Sequence, residues 1–146
     1  MNDTQAKTVE ILLVEDDQDD IFLTKKAFKQ QNVVNNLHVV TDGVDAMEFL
    51  RQEGEYTDAP RPDIILLDLN LQTMDGEEVL EAIQDDKTLR TIPVVVLTSS
   101  DAEEDIVRSY ELNANAYLTK PVDFNGFLDV VDSIDQFWIS VVKLPE

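Results

Sequence analysis

Asp63-Ile64-Ile65-Leu66-Leu67-Asp68 is a run of four branched apolar residues closed at each end by a carboxylate. It is too short for a buried helix. It is also uniformly apolar rather than alternating, as a strand covered on both faces must be. Three further runs share this character: Glu10 to Glu15, Pro93 to Thr98 and Ala116 to Thr119. A fifth, weaker one spans Leu37 to Thr41. Between them lie stretches with apolar residues at helical spacing: Ile21, Phe22, Lys25 and Phe28; Ala46, Phe49 and Leu50; Val79, Leu80 and Ile83; Ile106, Val107, Tyr110 and Leu112. A last helix is expected from Phe124 to about Val142. Strand and helix alternate, which predicts an α/β fold: a doubly wound, five-stranded parallel sheet with helices on both faces. Ligands on such sheets bind beyond the carboxyl ends of the strands, where the strand order switches.

Composition narrows the function classes. The chain has 146 residues, 43% of them hydrophobic, the size of one ordinary domain able to bury its own core. We expect a frayed polar head over residues 1–8 and a single domain over 9–146. The polar stretch Arg51 to Pro62, broken by Gly54, Pro60 and Pro62, reads as a long surface connection. With no cysteine, a disulfide framework, a zinc-thiolate site and a cysteine nucleophile are excluded. Eleven Lys and Arg against 31 Asp and Glu give a formal charge of -20, a field that repels nucleic acid and anionic lipid. No signal peptide and no membrane span are discernible, so the expectation is a soluble, cytoplasmic protein with no nucleic-acid or membrane partner.

The carboxyl ends of the strands carry Glu15, Asp16 and Asp17, then Asp68, then Thr98 and Ser99, then Lys120. Neighbouring carboxylates do not all stay ionised without a compensating cation. Oxygen ligands select a hard ion, so Mg2+ is the expected cofactor, with Mn2+ as the alternative. Such an ion and Lys120 would hold Asp68 ionised, as a carboxylate that attacks phosphorus to give an aspartyl phosphate. The Thr98 hydroxyl is placed to sense the new phosphoryl oxygens, and Tyr117 to move into the space it vacates. Asp17, just before a helix, reads as an N-cap and is left out of the site. His38 reads as packing or surface.

The motifs carrying these residues are Leu-Val-Glu-Asp-Asp at 13 to 17, Leu-Leu-Asp-Leu-Asn-Leu at 66 to 71, and Met-Asp-Gly at 74 to 76. Val-Leu-Thr-Ser at 96 to 99 and Ala-Tyr-Leu-Thr-Lys-Pro at 116 to 121 complete the set. Over Val9 to Trp138 the chain resembles the receiver domain of two-component response regulators. The resemblance implies a flavodoxin-like fold and a phosphoacceptor at Asp68. It makes Glu15 and Asp16 the acidic pair that binds metal with Asp68 and the backbone carbonyl of Asn70. Thr98 and Tyr117 become the switch pair, and Lys120 becomes the phosphoryl ligand, with a cis bond to Pro121. Gln72 replaces the usual proline, and Asn113 replaces the usual glycine at the end of the fourth helix; neither removes a ligand.

Asp42-Gly43, the phrase Arg-Gln-Glu-Gly-Glu-Tyr at 51 to 56 and the ending Phe-Trp-Ile-Ser-Val-Val-Lys-Leu-Pro at 137 to 145 resemble the small response regulators paired with bacterial phytochromes. That resemblance implies a sensor histidine kinase as partner, a light-sensing one, and a homodimer through the fourth and fifth helices and fifth strand. Independently, Phe137, Trp138, Ile139, Val141, Val142 and Leu144 offer more apolar surface than one helix face buries against a sheet, which suggests an interface at Phe137, Trp138, Val141 and Val142. The alternative is a terminal turn folded back on its own domain.

Three functions fit to different degrees. A phosphorylation switch uses all the residues above and turns over no separate substrate. An interaction or dimerisation module independent of phosphate would not need Asp68, Thr98 and Lys120 together. A phosphatase with an aspartate nucleophile needs a second acid two residues later, where this chain has Asn70.

Overall fold

A computed structural model describes residues 8–29, 35–69, 71, 74–98, 116–120, 122–123, 125–127 and 129, with Thr98 described by its backbone alone. The strands are β1 (Val9–Val14), β2 (Asn35–Val40), β3 (Ile64–Asp68), β4 (Val94–Thr98) and β5 (Ala116–Thr119). The helices are α1 (Gln18–Lys29), α2 (Gly43–Arg51) and α3 (Gly76–Gln84). All four strand pairings are parallel and the order is β2-β1-β3-β4-β5. The chain therefore leaves β1 toward one edge for β2 and returns past it to β3. The switch in strand order lies between β1 and β3, the expected place for a ligand site.

The β3 residues Ile64 to Leu67 are all fully buried, because side chains alternate between two covered faces. Leu12, Val14, Ile65, Leu67, Val94 and Val96 face one layer with Ala46, Met47, Phe49 and Leu50 of α2 and Val79, Leu80 and Ile83 of α3. Ile11, Leu13, Ile64, Leu66, Val95 and Leu97 face the other, with Ile21 and Phe28 of α1 and, from the chain after β5, Val122 and Phe127. Phe28 and Phe127 meet edge to face at 5.0 Å between ring centroids, joining α1 to that later segment.

Local chemistry explains the helix starts. The Asp17 carboxylate accepts from the backbone N–H of Asp20, the N-cap contact expected of it. Asp42 caps α2 through the N–H of Asp45. Asp75 and Glu78 form a reciprocal capping box at α3. Gly76, which follows, lies so close to the end of β3 that an added Cβ would collide with the Asp68 carbonyl oxygen and Leu69 Cα. Any side chain there would push α3 off the strand that ends in Asp68.

The α1 stripe needs a correction. Phe22 belongs on the outer face, 62% exposed, and Lys25 is exposed as well; the third buried position beside Ile21 and Phe28 is Thr24. Apolar identity misled the periodicity there, because Thr24 hides its hydroxyl by donating to the Asp20 carbonyl at 2.9 Å. The long connection after α2 contains a 3-10 turn, Gly54–Tyr56, whose Tyr56 ring packs on Phe49. His38 bonds Glu10 at 2.7 Å and packs at a tilt against the Phe49 ring. The expected fourth amphipathic stretch, Ile106 to Leu112, lies outside the described residues, as does most of the last helix.

Candidate functional site

Register assembles the acidic cluster. Val14 pairs with Leu67, so the residues one step further on, Glu15 and Asp68, leave neighbouring strands side by side. Both share a face with Ile11, Leu13, Ile64 and Leu66, the α1 side of the sheet. Glu15, Asp16 and Asp68 each offer a carboxylate oxygen, and these oxygens lie within 4.8 Å of one another. Glu15 and Asp68 are 1% and 2% exposed. Asp16 Oδ2 is buried and has no hydrogen-bond partner among the described residues.

Lys120, directly after β5, reaches into this cluster. Its Nζ donates to Glu15 Oε1 at 3.1 Å, to Asp20 Oδ2 at 2.9 Å and to Asp68 Oδ2 at 3.3 Å. Burial alone would lower the lysine pKa, but the bond to Asp20, the charge of Asp68 and the contact with Glu15 outweigh it and raise it. Lys120 therefore stays cationic. Glu15 is pushed up to about 7, first by burial and then by the charge of Asp68, despite accepting from the Asp17 N–H and Lys120. One ammonium thus does not neutralise this group of acids.

A divalent cation answers that imbalance. Among the described residues the donor set is all oxygen, three carboxylates converge, and one buried oxygen has no partner, the pattern a hard ion such as Mg2+ or Mn2+ completes. The residues present therefore fit such an ion.

Of the residues singled out from the sequence, Glu15, Asp16, Asp68 and Lys120 are brought together. Thr98 ends β4, whose Leu97 pairs with Asp68, and Thr98 itself pairs with Thr119. Tyr117 lies on β5, half-buried against the α2 and α3 layer. Asn70, the Lys120–Pro121 bond, Gln72, Asn113, Phe137, Trp138, Val141 and Val142 lie outside the described residues. Asp20 was missed. Its only sequence signal is a first-turn acid, which helix-dipole chemistry already explains. Its partner lies 100 residues away in the chain.

Residues 11–132 match the family described as the response regulator receiver domain. The chain belongs to that family. The receiver is 45% identical over 145 residues to the response regulator Rcp1 of Synechocystis sp., covering 99% of each chain. Its fold is similar to that of Mn(2+)-bound Rcp1, with a TM-score of 0.74 and 46% identity over 94% of this chain and 99% of the other. It is also similar to the phosphorylated cyanobacterial phytochrome response regulator RcpA, with a TM-score of 0.77 and 47% identity over 96% of this chain and 100% of the other. The five-stranded parallel sheet is thus the flavodoxin-like receiver fold. Among the described residues, no helix is long and apolar enough to cross a membrane.

Proposed function

We propose that this receiver is a phosphorylation-dependent signalling switch in which Asp68 accepts a phosphoryl group from a sensor histidine kinase. The observation that carries this reading is the Asp68 carboxylate itself, 2% exposed at a strand end, clustered with Glu15 and Asp16 and facing the Lys120 ammonium at 3.3 Å. In the transfer, an Asp68 carboxylate oxygen attacks phosphorus as the phosphorus–nitrogen bond of the donor phosphohistidine breaks. The electron pair of that bond returns to the imidazole nitrogen, and an acyl phosphate remains on the receiver. Lys120 donates to a phosphoryl oxygen and offsets its charge. Glu15, Asp16, Asp68 and the Asn70 carbonyl would hold Mg2+, or Mn2+, and such an ion would supply positive charge to offset that of the phosphoryl oxygens. Rcp1 is known in a Mn(2+)-bound form, which supports divalent-ion binding by this receiver.

The Thr98 hydroxyl then donates to the arriving phosphoryl group, and Tyr117 moves with it, changing the partner surface. That surface includes Phe137, Trp138, Val141 and Val142 and forms a homodimer through the fourth and fifth helices and fifth strand. The kinship with RcpA, a phytochrome response regulator, favours a bacterial phytochrome as the kinase. The receiver modifies itself and turns over no separate substrate.

Intact mass and sedimentation after treatment with acetyl phosphate, with and without Mg2+, test the proposal on wild type and Asp68→Asn. The expected result is one phosphoryl group on wild type alone, dependent on Mg2+, with an altered association state. A wild-type protein that gains no adduct, or an Asp68→Asn variant that gains the same one, overturns it. An association state indifferent to the adduct would leave a module whose assembly ignores phosphate.

A further inference from the structure

Lys120 has three ammonium protons and three carboxylate acceptors, and one of the three lies outside the acidic pocket. Glu15 and Asp68 belong to the group of converging oxygens; Asp20 does not, yet its bond to Lys120 is the shortest, 2.9 Å against 3.1 and 3.3 Å. Asp20 is also firmly held. Its N–H donates to Asp17 Oδ1 and its carbonyl accepts from Thr24 Oγ1, fixing it in the first turn of α1. Its side chain is 27% exposed, whereas those of Glu15 and Asp68 are almost fully buried.

We propose that Asp20 is a positioning residue that draws the Lys120 ammonium partly off Asp68 and Glu15, keeping their oxygens open to a divalent cation until a phosphoryl group takes Lys120 over. This rests on the reading of Glu15, Asp16 and Asp68 as metal ligands. A lysine and a metal ion compete for the same carboxylate oxygens. An ammonium deprived of its outer acceptor settles fully on the inner two and blocks them. Once Asp68 is phosphorylated, Lys120 has no spare proton for the new oxygens and gives up one acceptor. Asp20 is the one to release, because its partly exposed carboxylate regains water at small cost while Glu15 would be stranded in the core.

Mn2+ binding to the unphosphorylated protein, read from the free-ion electron paramagnetic resonance signal, tests this without reference to phosphotransfer. Asp20→Ala, which removes the outer acceptor, is compared with Asp19→Ala, which removes the same charge from the same turn at an exposed position. Both are repeated in a Lys120→Ala background, with far-UV circular dichroism to confirm folding. We expect Asp20→Ala to weaken Mn2+ binding about fivefold more than Asp19→Ala when Lys120 is present, and by less than about twofold more when it is absent. Equal losses from the two substitutions, or an Asp20 effect that persists without Lys120, overturn the proposal. Wild-type protein that binds no Mn2+ removes the metal reading and this proposal together, a result distinct from loss of coupling alone.

Discussion

Replacing Glu15 with Gln is expected to stabilise the protein above neutral pH in the absence of divalent cations. Glu15 is 1% exposed, and its carboxyl rises from 4.5 to about 7 through burial and the charge of Asp68. A carboxyl with a raised folded-state pKa favours the proton when folded. Its contribution is therefore most favourable below about 4.5 and is lost progressively as pH climbs to about 7. A rise of that size corresponds to roughly 3 kcal/mol of destabilisation once Glu15 is ionised. Glutamine carries no charge at any pH and still accepts from Lys120. Urea unfolding of wild type and Glu15→Gln in EDTA, at pH 4.5 and pH 8.5, measures the difference. The two proteins should be within about 0.5 kcal/mol of each other at the lower pH, and the variant ahead by roughly 2–3 kcal/mol at the higher. At pH 8.5, magnesium should close the gap by stabilising wild type more than the variant. A gap that is the same at both pH values, or a variant less stable at pH 8.5, would refute the assignment of the strain to ionised Glu15 beside Asp68.

Two further outcomes concern the scaffold. Gly76→Ala should cost about 1–3 kcal/mol in urea unfolding, because the added Cβ meets backbone at the Asp68 carbonyl and Leu69 Cα rather than a yielding side chain. Phe28→Ala should cost about 3–5 kcal/mol by the same assay, since it removes a ring 1% exposed and its edge-to-face contact with Phe127; a loss under about 1 kcal/mol would mean that this layer is not packed as described.

Much of the fold was legible because the inner strands of the sheet announce themselves locally. Ile64 to Leu67 is uniformly apolar since both its faces are covered, and no other short element needs that composition. The edge strand β2 was harder to bound: its pattern is polar at Asn35 and Asn36, and its start is defined by pairing with Val9 and Glu10 of β1 rather than by its own residues. Phe22 and Lys25 were placed on the buried stripe of α1, and Thr24 left off it, for a related reason. Side-chain polarity is a poor guide to burial where a hydroxyl can satisfy itself on the preceding helical turn.

Sequence alone determined which residues could do chemistry at the strand ends, because a parallel sheet puts every carboxyl end on one side and Glu15, Asp16, Asp68 and Lys120 each follow a recognisable strand. Tertiary structure decided how they share charge. The register of β1 against β3 sets Glu15 beside Asp68, and the burial that follows raises the Glu15 pKa. The bond between Lys120 and Asp20 was invisible in the chain because it joins residues 100 positions apart, through a helix turn whose acid has an ordinary local explanation. Electrostatic energy depends on distance and solvent exposure, and neither exists until the sheet has closed around these groups.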